Sequence, residues 1–409
     1  MRLTLALALA ASFAIPASAQ TEPDVTGEIR EMHERMIVLD THLDIPMRFD
    51  DGQWDFSQRN RFEWDGSQVD LPRMIEGGLD GGFFVIYLGQ GELTPDGYRQ
   101  ARDAALVRTA AIHRVIGENR AAMGLALTAE DAEQLVREGR RVAFLSIENS
   151  WPLGEDLSLL RTFHRLGVRM AGPVHSRTNQ LADSTTGEAR WNGLSPLGRQ
   201  WVAEMNRLGI VVDGSHSSDA AIDQMIELSR VPIVLSHHGA RVLYDHPRNT
   251  SDERMRRLAA SGGVLFLNMV FLAADDRSPE RSAIERRQAQ WARLSPEERR
   301  RLMADKAALD AQRPFTEADF ETFMRAALHI IRVMGVDHVG LGADWDGGGG
   351  VVGLEDIAGL PRITARLLRE GHSEADIAKI MGGNLLRVLR AAQAGAEPEF
   401  RVHAQRPAS

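Results

Sequence analysis

Eight short apolar, β-branched runs, separated by longer amphipathic segments, constrain this 409-residue chain more than any other feature. The runs cover 36–42, 81–88, 142–148, 169–175, 210–216, 232–237, 263–269 and 338–344. Between most of them lie helical patterns. The segment 156–167 repeats apolar positions at helical spacing and ends in Gly, 195–209 opens on Ser-Pro and also stops at Gly, and 218–230 has the same character. Strand and helix in alternation mean parallel pairing with helices outside. Eight such strands predict closure into a (β/α)8 TIM barrel of the α/β class. An open doubly wound sheet is the competitor, and the missing glycine-rich turn after the first strand weighs against it.

Two stretches break the rhythm. Residues 275–320 are highly charged and helical, and read as an insertion after the seventh strand, either a solvated outer hairpin or a wall of the barrel mouth. Residues 394–409 have little periodicity and read as a surface or disordered tail. The N-terminus has an Arg, an apolar run from Leu3 to Ile15 and a small-residue site at Ala17 to Ala19, the layout of a signal peptide over residues 1–19. The expectation is an exported chain, periplasmic or secreted, starting near Gln20, with one barrel over 20–393 and no stable membrane anchor.

The formal charge of -9 with no basic block argues against nucleic acid as a partner. Cysteine is absent, so there are no disulfides and no thiolate ligands. A metal site would have to use His, Asp and Glu, a set that suits zinc and similar ions.

Such groups fall at the strand ends. His42 and Asp44 close the first run, Glu148 the third, His175 the fourth, His216 the fifth, His237 and His238 the sixth, and Asp344 the eighth. In a barrel all these ends open on one face. Residues i and i+2 of a strand share a side, so His42 and Asp44 can grip one ion. Adjacent His237 and His238 cannot both face inward, so one at most is a ligand. His216 with one of that pair would hold a second ion, and Glu148 could bridge the two. Paired ions can share and ionise a water. Four positive charges against Asp44, Glu148 and a bridging hydroxide leave an excess that favours a carbonyl oxygen turning anionic. The only lysines, Lys306 and Lys379, lie far from any strand end, so a carboxylated-lysine bridge is not available. His113, His164 and His329 sit in helical segments and read as packing or surface residues.

These blocks, in order, resemble the membrane dipeptidase (renal dipeptidase) family of metallopeptidases, peptidase family M19, and a bacterial exported member of it. The likeness runs from about Met36 to Leu389 through LDTHLDIP, SIENS, the stretch LRTFHRLGVRMAGPVHSRTNQLADS, VLSHHGARVLYDHPRN and HVGLGADWDG. It implies two zinc ions per chain, one at His42, Asp44 and Glu148, the other at Glu148, His216 and His237, and so picks His237 over His238. It implies that His175 polarises the substrate or stabilises an oxyanion, that Arg248 takes the substrate's terminal carboxylate, and that Asp344 lies near the amino group and departing nitrogen. Asp346 is then a turn residue. The implied activity is dipeptide hydrolysis by a metal-bridging hydroxide, L,D-dipeptides included, in a homodimer. The chain departs from mammalian members, which read Glu-Gly-Gly at Glu148-Asn149-Ser150 and carry disulfides and a lipid anchor. Two other readings are a barrel hydrolase of cyclic amides, lactones or β-lactams, and a non-catalytic peptide-binding barrel.

Overall fold

Each of the eight apolar runs forms a parallel strand in the computed structural model, which describes residues 25–401 apart from Gln53. The strands are β1 (Leu39–Leu43), β2 (Gly81–Ile86), β3 (Arg141–Ile147), β4 (Val168–Ala171), β5 (Val211–Val212), β6 (Val234–Ala240), β7 (Val264–Leu267) and β8 (Val339–Leu341). Hydrogen bonding runs in the order β5-β4-β3-β2-β1-β8-β7-β6. A single parallel bridge between Asp213 and Val234 joins the two ends, so the sheet closes on itself as a (β/α)8 barrel. Two short strands were not legible in advance. Met123–Leu125 pairs with the first half of β3, and Asn249–Thr250 pairs with the end of β6.

Local chemistry explains where the helices begin and end. Ser195 accepts a hydrogen bond from the Gly198 N–H and precedes Pro196, and Gly209 takes the left-handed conformation that stops the helix Pro196–Leu208. Ser218 caps Asp219–Leu228 in the same manner, and Thr128 with Asp131 forms a reciprocal capping box on Ala129–Arg137.

The strand period of two separates barrel floor from barrel mouth. Along β3, Val142, Phe144, Ser146 and then Glu148 fall on one face. Val142 and Phe144 join Leu39, Phe83, Met170, Val211, Val234, Val264 and Phe266 in one buried cluster drawn from seven strands. The Phe83 and Phe144 rings stack at 5.2 Å. Leu385, Leu386 and Leu389 of the last helix, Asn384–Gly395, pack into the same cluster and stopper it. Polar groups are therefore left for the opposite end. The second, larger cluster lies between strands and outer helices.

The charged segment after β7 forms the helices Pro279–Gln288 and Pro296–Gln312. Beyond Gly395 the chain lays Phe400 under the Arg207 guanidinium, 4.5 Å from the ring centre, and residues 394–401 otherwise run largely exposed along the surface. The leader expected at 1–19 and the remainder of that tail lie outside the described residues. Among the described residues no helix is long and apolar enough to cross a membrane.

Candidate metal centre

The C-terminal ends of β1, β3, β4, β5, β6 and β8 converge on one pocket. His42 is in β1, and Asp44 follows it as the cap of a short helical turn. Glu148 is the first residue past β3. His175 and His216 lie four residues past β4 and β5, and Asp344 three past β8. These three strands end earlier than the apolar runs suggest, because the chain turns there. His216 and Asp344 adopt left-handed backbone angles, φ 65° and 68°. Such angles are costly for residues with a Cβ and collect at functional sites.

Glu148 is the hub. Its Oε1 lies 2.9 Å from His216 Nε2, 3.6 Å from both His42 Nε2 and His237 Nε2, and 3.7 Å from His175 Nε2. His42 Nε2 is 3.4 Å from Asp44 Oδ2 and 4.0 Å from Asp344 Oδ1. His216 and His237 bring their Nε2 atoms within 2.7 Å of each other. Three overlapping groups have ligand atoms within 4.8 Å of one another: His42, Glu148 and His237; Glu148, His175 and His216; His42, Asp44 and Asp344.

These donors suit a cation. His42 Nε2 and Asp44 Oδ1 are buried without a hydrogen-bond partner, a costly state unless something else satisfies them. The electrostatics agree. Burial pushes the Glu148 carboxyl well above its usual range, and Asp44 and Asp344 add to this against the pull of His42 and Arg248. Burial lifts Asp344 to about 6. Burial, with Arg248 nearby, holds His216 well below the ordinary imidazole value, and burial with His42 does the same to His237. His42 goes the other way: burial opposes its charge, but Asp44, Glu148 and Asp344 outweigh it and raise it to about 10. Carboxylates that resist ionising and imidazoles that resist protonation are what a bound divalent cation would relieve.

Arg248 lies 2% exposed beside this cluster. It reaches His238 Nδ1 at 3.5 Å and the His237 carbonyl at 3.4 Å, and its Nε has no partner. The guanidinium rests 5.5 Å from the Phe271 ring centre, and Phe271 stacks on His246 at 4.3 Å. Burial lowers Arg248 to about 10, against the pull of Asp344 and Glu148. It makes no direct ion pair among the described residues, and Nε is the donor left without a partner.

The eight side chains singled out from sequence thus meet at one mouth. His238 is buried but turns to Arg248, not to the cluster. Asp346 accepts from the Gln68 and Val69 N–H groups and from Arg48, and so holds the turn after Asp344. His113 bonds the Leu166 carbonyl, His329 pairs with Asp252, and burial lowers His164 to about 4, with Arg169 adding to the effect. Lys306 pairs with Asp310 and Lys379 with Asp337. Sequence reasoning passed over Tyr87, just past β2, whose ring lies 4.9 Å from that of His175. An aromatic residue at a strand end was the available signal.

A family model described as membrane dipeptidase, peptidase family M19, matches residues 26–401. Dipeptidase tcpJ of Claviceps purpurea is 30% identical over 346 residues, 82% of this chain and 73% of that protein. The probable dipeptidase PvdM of Pseudomonas aeruginosa superposes with a TM-score of 0.78 at 29% identity, covering 91% of this chain and 99% of that one. A metallopeptidase of Rhodobacter sphaeroides, solved with a phosphinate mimic of L-Ala-D-Ala, gives 0.69 at 26% identity over 87% of this chain and 99% of its own. The chain belongs to the membrane dipeptidase family, peptidase family M19.

Proposed function

We propose that the protein is a zinc-dependent dipeptidase whose two ions sit at His42, Asp44 and Glu148 and at Glu148, His216 and His237. The observation that carries this reading is the convergence of four imidazoles on the single Glu148 carboxylate, with buried donor atoms left unpaired. Divalent ions held by these residues would supply Lewis-acid chemistry, acidifying a water and polarising the scissile carbonyl. The chain's own residues do the rest. Arg248 anchors the substrate carboxylate through its guanidinium fork, and the fixed distance from there to Glu148 restricts substrates to two residues. His175, a neutral imidazole held at about 4 chiefly by burial, donates toward the carbonyl oxygen as it turns anionic. Asp344 orients the free amino group and passes a proton to the departing nitrogen.

A D-residue at the second position fits this reading, because recognition there is through the carboxylate. The L-Ala-D-Ala mimic in the Rhodobacter sphaeroides protein supports it. The proposal extends to one catalytic barrel over 20–393, exported after cleavage near Ala19, acting as a homodimer. The test is a dipeptide panel with L,L and L,D pairs, run with metal-stripped and zinc-reconstituted protein. Hydrolysis of dipeptides only after reconstitution is expected. Turnover of lactones or cyclic amides without dipeptide cleavage would overturn the assignment.

A further inference from the structure

The least stitched seam of the barrel is β5 against β6, joined as strands by the one bridge at Asp213 and Val234. Side chains add to it: Ser215 Oγ accepts from the His237 N–H at 3.1 Å, and Asp213 holds Ser236. Asp213 is 3% exposed, and its Oδ1 accepts from the Ser215 N–H and the Ser236 N–H, both at 2.9 Å. Its Oδ2 accepts from the Ser236 hydroxyl at 2.5 Å. Ser236 Oγ in turn lies 2.9 Å from His237 Nδ1.

The hydroxyl has one proton. Directed at Asp213, it leaves Ser236 Oγ able only to accept, so His237 must carry its proton on Nδ1. Nε2 is then bare, and it is the atom that points at Glu148 and His216. We infer that Asp213 is a positioning residue that acts through Ser236 to fix the His237 tautomer with a bare Nε2 facing the metal centre, while pinning the β5–β6 seam. The relay is a chain of two hydrogen bonds with a direction, and a carboxylate at 213, which can only accept, sets that direction. An imidazole whose second nitrogen is held this way is a better and better-aimed ligand. The inference rests on the proposed use of His237 as a ligand.

Asp213→Asn separates direction from shape. The amide oxygen can keep both backbone N–H bonds, but the amide NH2 donates to Ser236 Oγ. That hydroxyl then turns to His237 Nδ1 at 2.9 Å, a nearer acceptor than Ser215 Oγ at 3.3 Å, which moves the imidazole proton to Nε2. Ser236→Ala removes the relay and leaves the backbone bonds to Asp213 in place, so it tests the same idea if the first variant folds poorly. Two readouts on the full mature chain decide. Nitrogen NMR of the metal-free protein should show His237 as the Nδ1–H tautomer in wild type and as Nε2–H in Asp213→Asn. Competition with a chelator for zinc alone should show one of two bound ions weakened roughly 10- to 100-fold in both variants. Wild-type-like tautomer and zinc affinity in a folded Asp213→Asn would overturn the inference. Wild type that takes up no zinc while keeping the Nδ1–H tautomer would instead overturn the ligand assignment, and leave the relay standing.

Discussion

At the level of single residues, the glycine that presses most directly on the site's carboxylates is Gly347. A Cβ there would lie 2.1 Å from Asp44 Oδ2 and 2.2 Å from Asp344 Oδ1. Only glycine lets the turn after β8 pass so close to both carboxylates. Gly347→Ala is expected to displace them, with kcat down at least 10-fold and the melting temperature within a few degrees of wild type; an unchanged kcat would refute the crowding. Arg248→Ala should raise KM for dipeptides with a free carboxylate, by roughly 100-fold for a lost charge-assisted bidentate contact. An equal loss on C-terminally amidated analogues would argue against carboxylate recognition. The legibility of the site divides along the same line. His42, Asp44, Glu148 and Asp344 stood out because polar residues ending apolar runs are conspicuous. Asp213, Ser236 and Tyr87 did not, because what each does depends on which strand lies beside it, and spacing along one strand carries no such information.

At the level of elements, two attachments hold the barrel's surroundings. Arg299, in the helix Pro296–Gln312, donates to Asp51 in the segment that leads away from Asp44, and also to the carbonyls of Trp291 and Leu294. Arg299→Ala removes these bonds and the buried charge pair with Asp51, at a cost of about 2 kcal/mol. Urea unfolding should show that loss, and limited proteolysis should cut sooner within 279–312; an unchanged pattern would mean that the helices dock by other contacts. The first helix, Gly27–Arg35, is tied in by His33, which bonds Thr364 and the Gly77 carbonyl. Burial lowers His33 to about 4. The unfolded chain, near 6.5, therefore takes up a proton that the fold refuses, so His33's contribution is complete above pH 6.5 and fades as pH falls toward 4. The destabilisation caused by His33→Gln should be largest at pH 7.5 and smaller by roughly 2 kcal/mol at pH 4.5 in urea titrations. A penalty independent of pH would contradict this.

At the level of the whole molecule, the barrel was legible because parallel strands buried on both faces read as continuous apolar runs. The three-residue strand at Met123–Leu125 was not, since so short a segment has no period to detect. β4, β5 and β8 end before the residues that carry the site because Gly-Pro, Asp-Gly and Gly-Ala turn the chain there, including the left-handed angles of His216 and Asp344, which residue type alone does not announce. The fold places a dry apolar plug at one end and a ring of imidazoles and carboxylates at the other, where Glu148 is placed to share the two proposed cations. The direct measurement is metal content by mass spectrometry after zinc reconstitution and removal of excess, paired with dipeptide hydrolysis. About two ions per chain are expected in wild type, and fewer than one, with hydrolysis lost, in Glu148→Gln. One ion or none in wild type, or two retained by Glu148→Gln, would contradict the shared site.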